Sequence, residues 1–325
     1  MKVNFLTTTN TGNGYGMTRE YFKKFLPQFG IELEPANAGN EWTLILHTPP
    51  TIQFAKGKTI LYTMLEGDEG ADSWKIYLSM ATHIVVPTTF VQDTFKRAGF
   101  DSIVCPLGYD GEVFKYKEAP IHTPYTFLHY EAFQNRKGWR DVLDAWLLSG
   151  LAEEEGECRL ILKTIVEPTK VCQMAEGLFI PTNVKIICGE LPHKCIRDVL
   201  SLADCFIFPS HGEGFSLPPL EAMACGLPTI LTIGHSHLDL YNPEFMYGVV
   251  ADKKIPARYD NWENQGNFVR CTVQELASKM RYVYDNQEKA KETGIRSVEY
   301  IKKYEYHKTM EVLANHICQT LVQKT

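Results

Sequence analysis

From the amino terminus onward, short apolar runs alternate with stretches in which apolar residues recur every three or four positions. Residues 3–8, 42–47, 59–65, 83–87 and 102–106 predict strands, with helices at 17–29, 72–81 and 90–98 between them. Gly30 and Gly99 stand where helices should stop, since glycine enters the left-handed region without a Cβ penalty. A polar stretch broken by Gly111, Pro120 and Pro124 interrupts the pattern, which then restarts. Beyond it, 125–129, 159–164, 184–188, 205–209 and 229–232 predict strands, and 139–148, 169–178, 195–203 and 217–225 predict helices. Residues 245–270 show no clear period, and from Thr272 the chain reads as helical nearly to its end. Two successions of strand and helix predict two α/β units, each a mostly parallel, helix-covered sheet. The carboxyl ends of their strands would face a shared cleft.

Composition narrows the class without naming a partner. The 325 residues, 44% hydrophobic and 22% charged, suit two globular domains and exclude disordered, collagen-like and coiled-coil chains. No apolar stretch approaches the roughly 18 residues of a membrane span. Residues 1–9 read as a first strand and not as an export signal. Nine cysteines, an odd number with no CxxC pair, read as free thiols of a reducing cytoplasm, with peripheral membrane contact left open. A net charge of −6 without a basic half lacks the excess of a dedicated duplex-DNA binder.

The chemistry concentrates in 208–228, Phe-Pro-Ser-His-Gly-Glu-Gly-Phe-Ser-Leu-Pro-Pro-Leu-Glu-Ala-Met-Ala-Cys-Gly-Leu-Pro. A strand runs into a loop containing Gly212 and Gly214, and a helix starts near Ser216 with Pro218 and Pro219 in its first turn. Free amides and the positive dipole end at such a start form a generic phosphate site. Glu213 and Glu221 flank it, and ionised carboxylates accept strongly from sugar hydroxyls.

This stretch resembles the E-x7-E signature of GT-B glycosyltransferases, particularly retaining enzymes of glycosyltransferase family 4. The likeness continues upstream through Gly189-Glu190-Leu191-Pro192 and Ala203-Asp204-Cys205-Phe206, and downstream through Ala222 to Pro228. The resemblance implies the GT-B fold, two Rossmann-like domains facing a central cleft: 1–118 on the acceptor side, 119–300 on the donor side, and 301–325 crossing back. It implies a nucleotide-diphosphate sugar as co-substrate, with no cofactor and no metal. By analogy Glu221 would take the ribose hydroxyls and Glu213 the transferred sugar. The amides of Gly214, Phe215 and Ser216, leading to Leu217, would hold the diphosphate, and the base would lie between Cys188 and Leu191. The family places an arginine after the first strand of the donor domain and a lysine about five residues later. Lys137-Gly138 matches the lysine, whereas the arginine position falls in His129-Tyr130-Glu131-Ala132. Lys137 and Lys163, with Arg136 as a further cation, are therefore expected to stabilise the leaving diphosphate.

In the first half, Gly12-Asn13-Gly14-Tyr15-Gly16 follows the first strand, but Met17 replaces the last glycine of a dinucleotide fingerprint. In relatives this loop contacts donor phosphate or acceptor; a tight turn needing glycine is the plain alternative. His47 at a strand end is a candidate to orient the sugar, or a structural histidine. Glu66 and Asp68 suit either acceptor hydroxyls or a solvated acidic loop. His211 shapes the donor loop, and His235-x-His237 lacks a third metal ligand at convincing spacing. The leading expectation is a metal-independent retaining glycosyltransferase whose acceptor is a glycan, glycolipid, protein or modified DNA base. A viral-type enzyme acting on a hydroxylated DNA base (in a host cytoplasm), a non-catalytic binding module and, more distantly, an oxidoreductase are the alternatives.

Overall fold

The computed structural model describes residues 1–8, 14–258 and 265–322. In the first half, β1 (Lys2–Thr7) leads to α1 (Gly14–Phe25), then β2 (Glu32–Pro35), β3 (Trp42–Leu46) and β4 (Lys58–Tyr62). Helix α2 (Asp72–Leu78), β5 (His83–Val86), α3 (Thr89–Arg97) and β6 (Ile103–Val104) complete it. These strands form one parallel sheet in the order β2-β1-β3-β4-β5-β6.

The second half begins with β7 (Tyr125–Tyr130), α4 (Trp139–Leu148), β8 (Cys158–Lys163), α5 (Pro168–Met174), β9 (Val184–Ile187) and α6 (His193–Leu200). It continues through β10 (Cys205–Phe208), α7 (Leu217–Ala224), β11 (Thr229–Ile233), α8 (His237–Leu240), β12 (Tyr247–Pro256) and β13 (Asn267–Cys271). The sheet order is β13-β12-β11-β10-β7-β8-β9, parallel except for the β12–β13 pair. The stretch without a clear period thus contains two antiparallel strands. The helical tail is three helices, α9 (Val273–Asp285), α10 (Gln287–Ile301) and α11 (Tyr306–Val322), broken near Asn286 and by a 3-10 turn at Lys302–Tyr304.

Burial follows the parallel-sheet pattern, in which both faces are covered and strands read as continuous apolar runs. All five residues of β3 and all four of β10 are buried. One core cluster runs without interruption from Phe22 and Tyr62 in the first half through Tyr306 and Met310 to Phe206 and Leu220 in the second. Helix α11 joins the halves by returning to the first: Tyr306 stacks on Tyr21 at 4.2 Å, and the amide of Tyr306 donates to Tyr109 O at 2.9 Å. Among the described residues no helix is long and apolar enough to cross a membrane.

Candidate active site between the two sheets

The second sheet reverses its order between β7 and β10, and open α/β sheets take ligands beyond the carboxyl ends at such a switch point. The loop leaving β7 makes one 3-10 turn, Asn135–Lys137, closed by Gly138 at φ +73°. A Cβ on Gly138 would fall 2.5 Å from Pro209 O, so the turn lies directly against the loop leaving β10. That close approach joins Lys137 to Glu213, Nζ to Oε1 at 2.7 Å, with both residues buried. Lys137 also donates to Glu131 at 2.6 Å, and Ser210 Oγ donates to Glu213 Oε1 at 2.5 Å. Arg136, one residue off the expected lysine, reaches the same oxygen at 3.3 Å and donates to Gly212 O at 2.9 Å. Its other nitrogen pairs with Glu66 of the first half at 2.9 Å.

Burial alone would raise the Glu213 carboxyl. The charges of Lys137 and Arg136, with hydrogen bonds from Lys137 and Ser210, outweigh it and bring the group down to about 2. At Glu131 burial prevails, reinforced by Glu213, and the carboxyl is raised despite Lys137. Of the remaining arginine-position residues, His129 is fully buried with Nδ1 on Ile207 O at 2.9 Å, and burial pushes its imidazole down to about 4.

Helix α7 starts where the motif requires, with Pro218 and Pro219 in its first turn and Gly226 at φ +82° beyond its end. Gly214, Phe215 and Ser216 are buried, and among the described residues none of their three amides donates to a protein acceptor. Ser216 leads into Leu217 at φ +95°, unusual for a residue with a side chain. Its Oγ meets His237 Nε2 at 2.7 Å, and His237 Nδ1 meets Thr232 O at 2.9 Å. A carbonyl only accepts, so Nδ1 carries the proton and Nε2 accepts from Ser216. Glu221, 3% exposed, accepts from His193 Nε2 at 2.6 Å.

In the first sheet β1 and β3 are the neighbours at the switch point. Gly14, Tyr15 and Gly16 open α1 itself; Gly12 and Asn13 lie outside the described residues. Tyr15 stacks on His47 at 5.3 Å, and His47 Nδ1 lies 2.8 Å from Thr51 Oγ1 and 3.0 Å from Thr48 Oγ1. Burial lowers the His47 imidazole and favours its neutral form.

In the acidic loop after β4 Glu69 is exposed, while Glu66 and Asp68 are half-buried and paired. Besides the Glu66–Arg136 pair, Asp68 accepts from the Asn267 amide at 2.6 Å and from Lys254 at 3.1 Å. Both carboxylates are directed at the second half. Lys163 is fully buried, donating to Thr164 O at 2.7 Å and Gly189 O at 2.5 Å, and burial lowers its ammonium. Its backbone oxygen accepts from the Glu131 amide at 3.0 Å, but among the described residues no hydrogen bond or ion pair joins its ammonium to the Glu213 cluster. It ties β8 to the loop that holds half-buried Cys188 and exposed Leu191. His211 bonds Asp141 at 2.6 Å, which Arg270 also grips, and its amide donates to Arg136 O at 2.7 Å, so it frames the donor loop. The two histidines of the H-x-H take separate partners: His235 stacks on Phe90 at 4.4 Å with Nδ1 on Glu66 O, whereas His237 holds Ser216. Among the described residues no group of three or more His, Cys, Asp or Glu is arranged to hold a metal ion. The cleft is closed on itself: Thr88 Oγ1 donates to Gly214 O at 3.3 Å, and Met64 lies against Gly214. A cavity of about 300 Å³ opens instead beside Tyr116, Arg197 and Lys291, away from both glutamates.

The sequence profile of the glycosyl transferases group 1 matches residues 112–299, more than half of the chain. The chain belongs to this family. Among curated proteins it is 27% identical over 160 residues to TuaC of Bacillus subtilis (strain 168), assigned to teichuronic acid biosynthesis as a glycosyltransferase; the match covers 47% of this chain and 39% of TuaC. It is 34% identical over 82 residues to the serotype-specific mannosyltransferase WbdA of Escherichia coli, covering 24% of this chain and 10% of WbdA. The chain thus spans well under half the length of these two relatives. Among solved structures, HepE of Anabaena in complex with UDP and glucose superposes with a TM-score of 0.73 at 12% identity, covering 98% of this chain and 100% of HepE. WaaG, a glycosyltransferase involved in lipopolysaccharide biosynthesis, gives 0.71 at 14%, covering 98% and 99%. At such identities these likenesses show the fold, GT-B with the last helix on the first domain.

Within this group 1 chain, sequence reasoning missed His193, Tyr21 and the Glu66–Arg136 pair. Tyr21 lies 172 residues from His193, and no local pattern links them. His193 adjoins the quoted Gly189–Pro192 segment, which was the one signal available for it.

Proposed function

We propose that the chain transfers a sugar from a nucleotide-diphosphate sugar to an acceptor hydroxyl, with retention at the anomeric carbon and without a metal ion. Residues 119–300 hold the donor, 1–118 face the acceptor, and 301–325 carry the returning helix. The observation that carries this reading is the Glu213–Glu221 pair flanking three amides that, among the described residues, donate to no protein acceptor, at the switch point of a group 1 sheet. Three such donors and a helix start match a diphosphate. Among the described residues Glu213 and Glu221 each take their side-chain hydrogen bonds on one oxygen, Oε1, which leaves Oε2 to accept from sugar hydroxyls.

As the anomeric carbon–oxygen bond breaks, negative charge grows on the departing diphosphate, and Lys137, Arg136 and the three amides are pre-placed to meet it. Lys163 shapes the loop on which the base rests, between Cys188 and Leu191. Tyr15 and His47, stacked on each other, with His47 favoured in its neutral form beside two threonine hydroxyls, face the sugar and acceptor. A non-catalytic reading has one observation in its favour: Glu131 lies in the arginine segment and shares Lys137 with Glu213. The test is a panel of UDP-, GDP- and ADP-sugars, following nucleotide release with and without chelator, with the product's anomeric configuration read by NMR. Release that survives chelation and gives the donor's configuration supports the proposal. No release and no thermal shift from any donor favours the binding module, and loss of release with chelator contradicts metal independence.

A further inference from the structure

Glu221 is held from outside its own helix. His193, the first residue of α6, donates from Nε2 to Glu221 Oε1 at 2.6 Å, and its Nδ1 lies 2.7 Å from the hydroxyl of Tyr21 on α1. An ionised carboxylate only accepts, so Nε2 carries hydrogen. Nδ1 accepts from Tyr21 when the ring is neutral and donates to its hydroxyl when the ring is protonated. Burial would lower the imidazole, but Glu221 outweighs it and raises it, which favours the protonated form. The ring is enclosed as well as bonded. Phe114 meets it edge-on at 5.1 Å, Tyr21 at 5.7 Å, and Tyr21 is itself stacked on Tyr306 of α11. One hydrogen-bond chain therefore links the first domain, through His193, to a buried carboxylate of the second.

We propose that His193 is a positioning residue for the ribose of the bound nucleotide, and that Tyr21 makes its action depend on the first domain being in place. His193 holds Oε1 and so fixes the Glu221 carboxylate with Oε2 left for the ribose diol. Withdrawal of the first domain removes Tyr21 and frees the imidazole to turn away. Donor affinity and domain closure are thereby coupled through a single ring. The proposal rests on the reading of Glu221 as the ribose carboxylate.

The test measures binding of UDP, GDP and ADP and of their 2′-deoxy counterparts by calorimetry, with wild type and with Tyr21→Phe, His193→Phe, His193→Gln and Glu221→Gln. With the nucleotide that binds wild type best, His193→Phe is expected to weaken the ribonucleotide about tenfold or more, since a hydrogen bond to a charged group is lost. The 2′-deoxy form should be little affected, so the preference for ribose collapses. His193→Gln, which keeps a donor toward Glu221, should restore part of that preference. Tyr21→Phe, which deletes one hydroxyl and leaves the ring packing intact, should lower it roughly two- to fivefold. A packing defect alone would weaken both nucleotides equally. If Glu221→Gln abolishes ribose preference while Tyr21→Phe and His193→Phe keep the wild-type ratio, the positioning role is overturned. If Glu221→Gln itself keeps that ratio, the ribose reading of Glu221 falls, and this proposal with it.

Discussion

The two switch points share a topology and differ in charge. Between β1 and β3, Tyr15 stacks on His47, whose partners are two threonine hydroxyls. Between β7 and β10, Lys137, Arg136, Glu131 and Glu213 lie within one network of ion pairs, in a buried setting. Fixed cations and unpaired amides are useful where charge develops during a reaction. A neutral imidazole and phenol suit a hydroxylated group that stays uncharged. The contrast is the reason for proposing that the leaving diphosphate belongs to the second domain and the acceptor to the first, although the parallel sheets alone would serve either.

The largest effect should come from the charged side. Lys137→Met is expected to lower turnover about 10²–10³-fold while donor KM moves only a few-fold, because the ammonium acts mainly on charge that grows in the transition state. Steady-state kinetics with the active donor checks it, and an unchanged turnover would erase the contrast. Next is a stability effect. The folded-state pKa of Glu213, about 2, lies below the unfolded value, so its ionised form stabilises the fold above about pH 4.5. That contribution is lost as pH falls toward 2. Denaturant unfolding should show wild type more stable than Glu213→Gln by roughly 2–3 kcal/mol at pH 7, with the gap closing between pH 4.5 and 2.

On the neutral side, Tyr15→Phe and His47→Asn should raise acceptor KM about 3- to 10-fold and leave nucleotide binding unchanged. Equal losses for donor and acceptor would blur the division of labour. Smallest is Glu66→Gln, which releases Arg136 from its inter-domain ion pair and should improve donor affinity about two- to threefold at low salt.

The strand–helix alternation and the E-x7-E motif were legible because both are local: apolar runs mark buried parallel strands, and two glycines with two prolines mark a loop entering a helix. Strand β2, Glu-Leu-Glu-Pro, was missed because it is a short, polar edge strand, and β12 was missed because Asp252, Lys253 and Lys254 interrupt its apolar pattern on an exposed surface. Arg136 was identified as a candidate but looked out of register. A 3-10 turn places consecutive residues on the same carboxylate, which spacing alone does not reveal. The partners of Glu66, Asp68 and Glu221 come from the other domain or another helix, and only folding brings them together.

Hydrogen exchange tests the central claim most directly, because it reads the three amides themselves. On saturation with the nucleotide diphosphate that binds best, the peptide spanning 212–217 should gain more protection than any peptide from residues 14–104. Protection concentrated in the first domain, or none at 212–217 under saturating ligand, would contradict the assignment of the diphosphate to the start of α7.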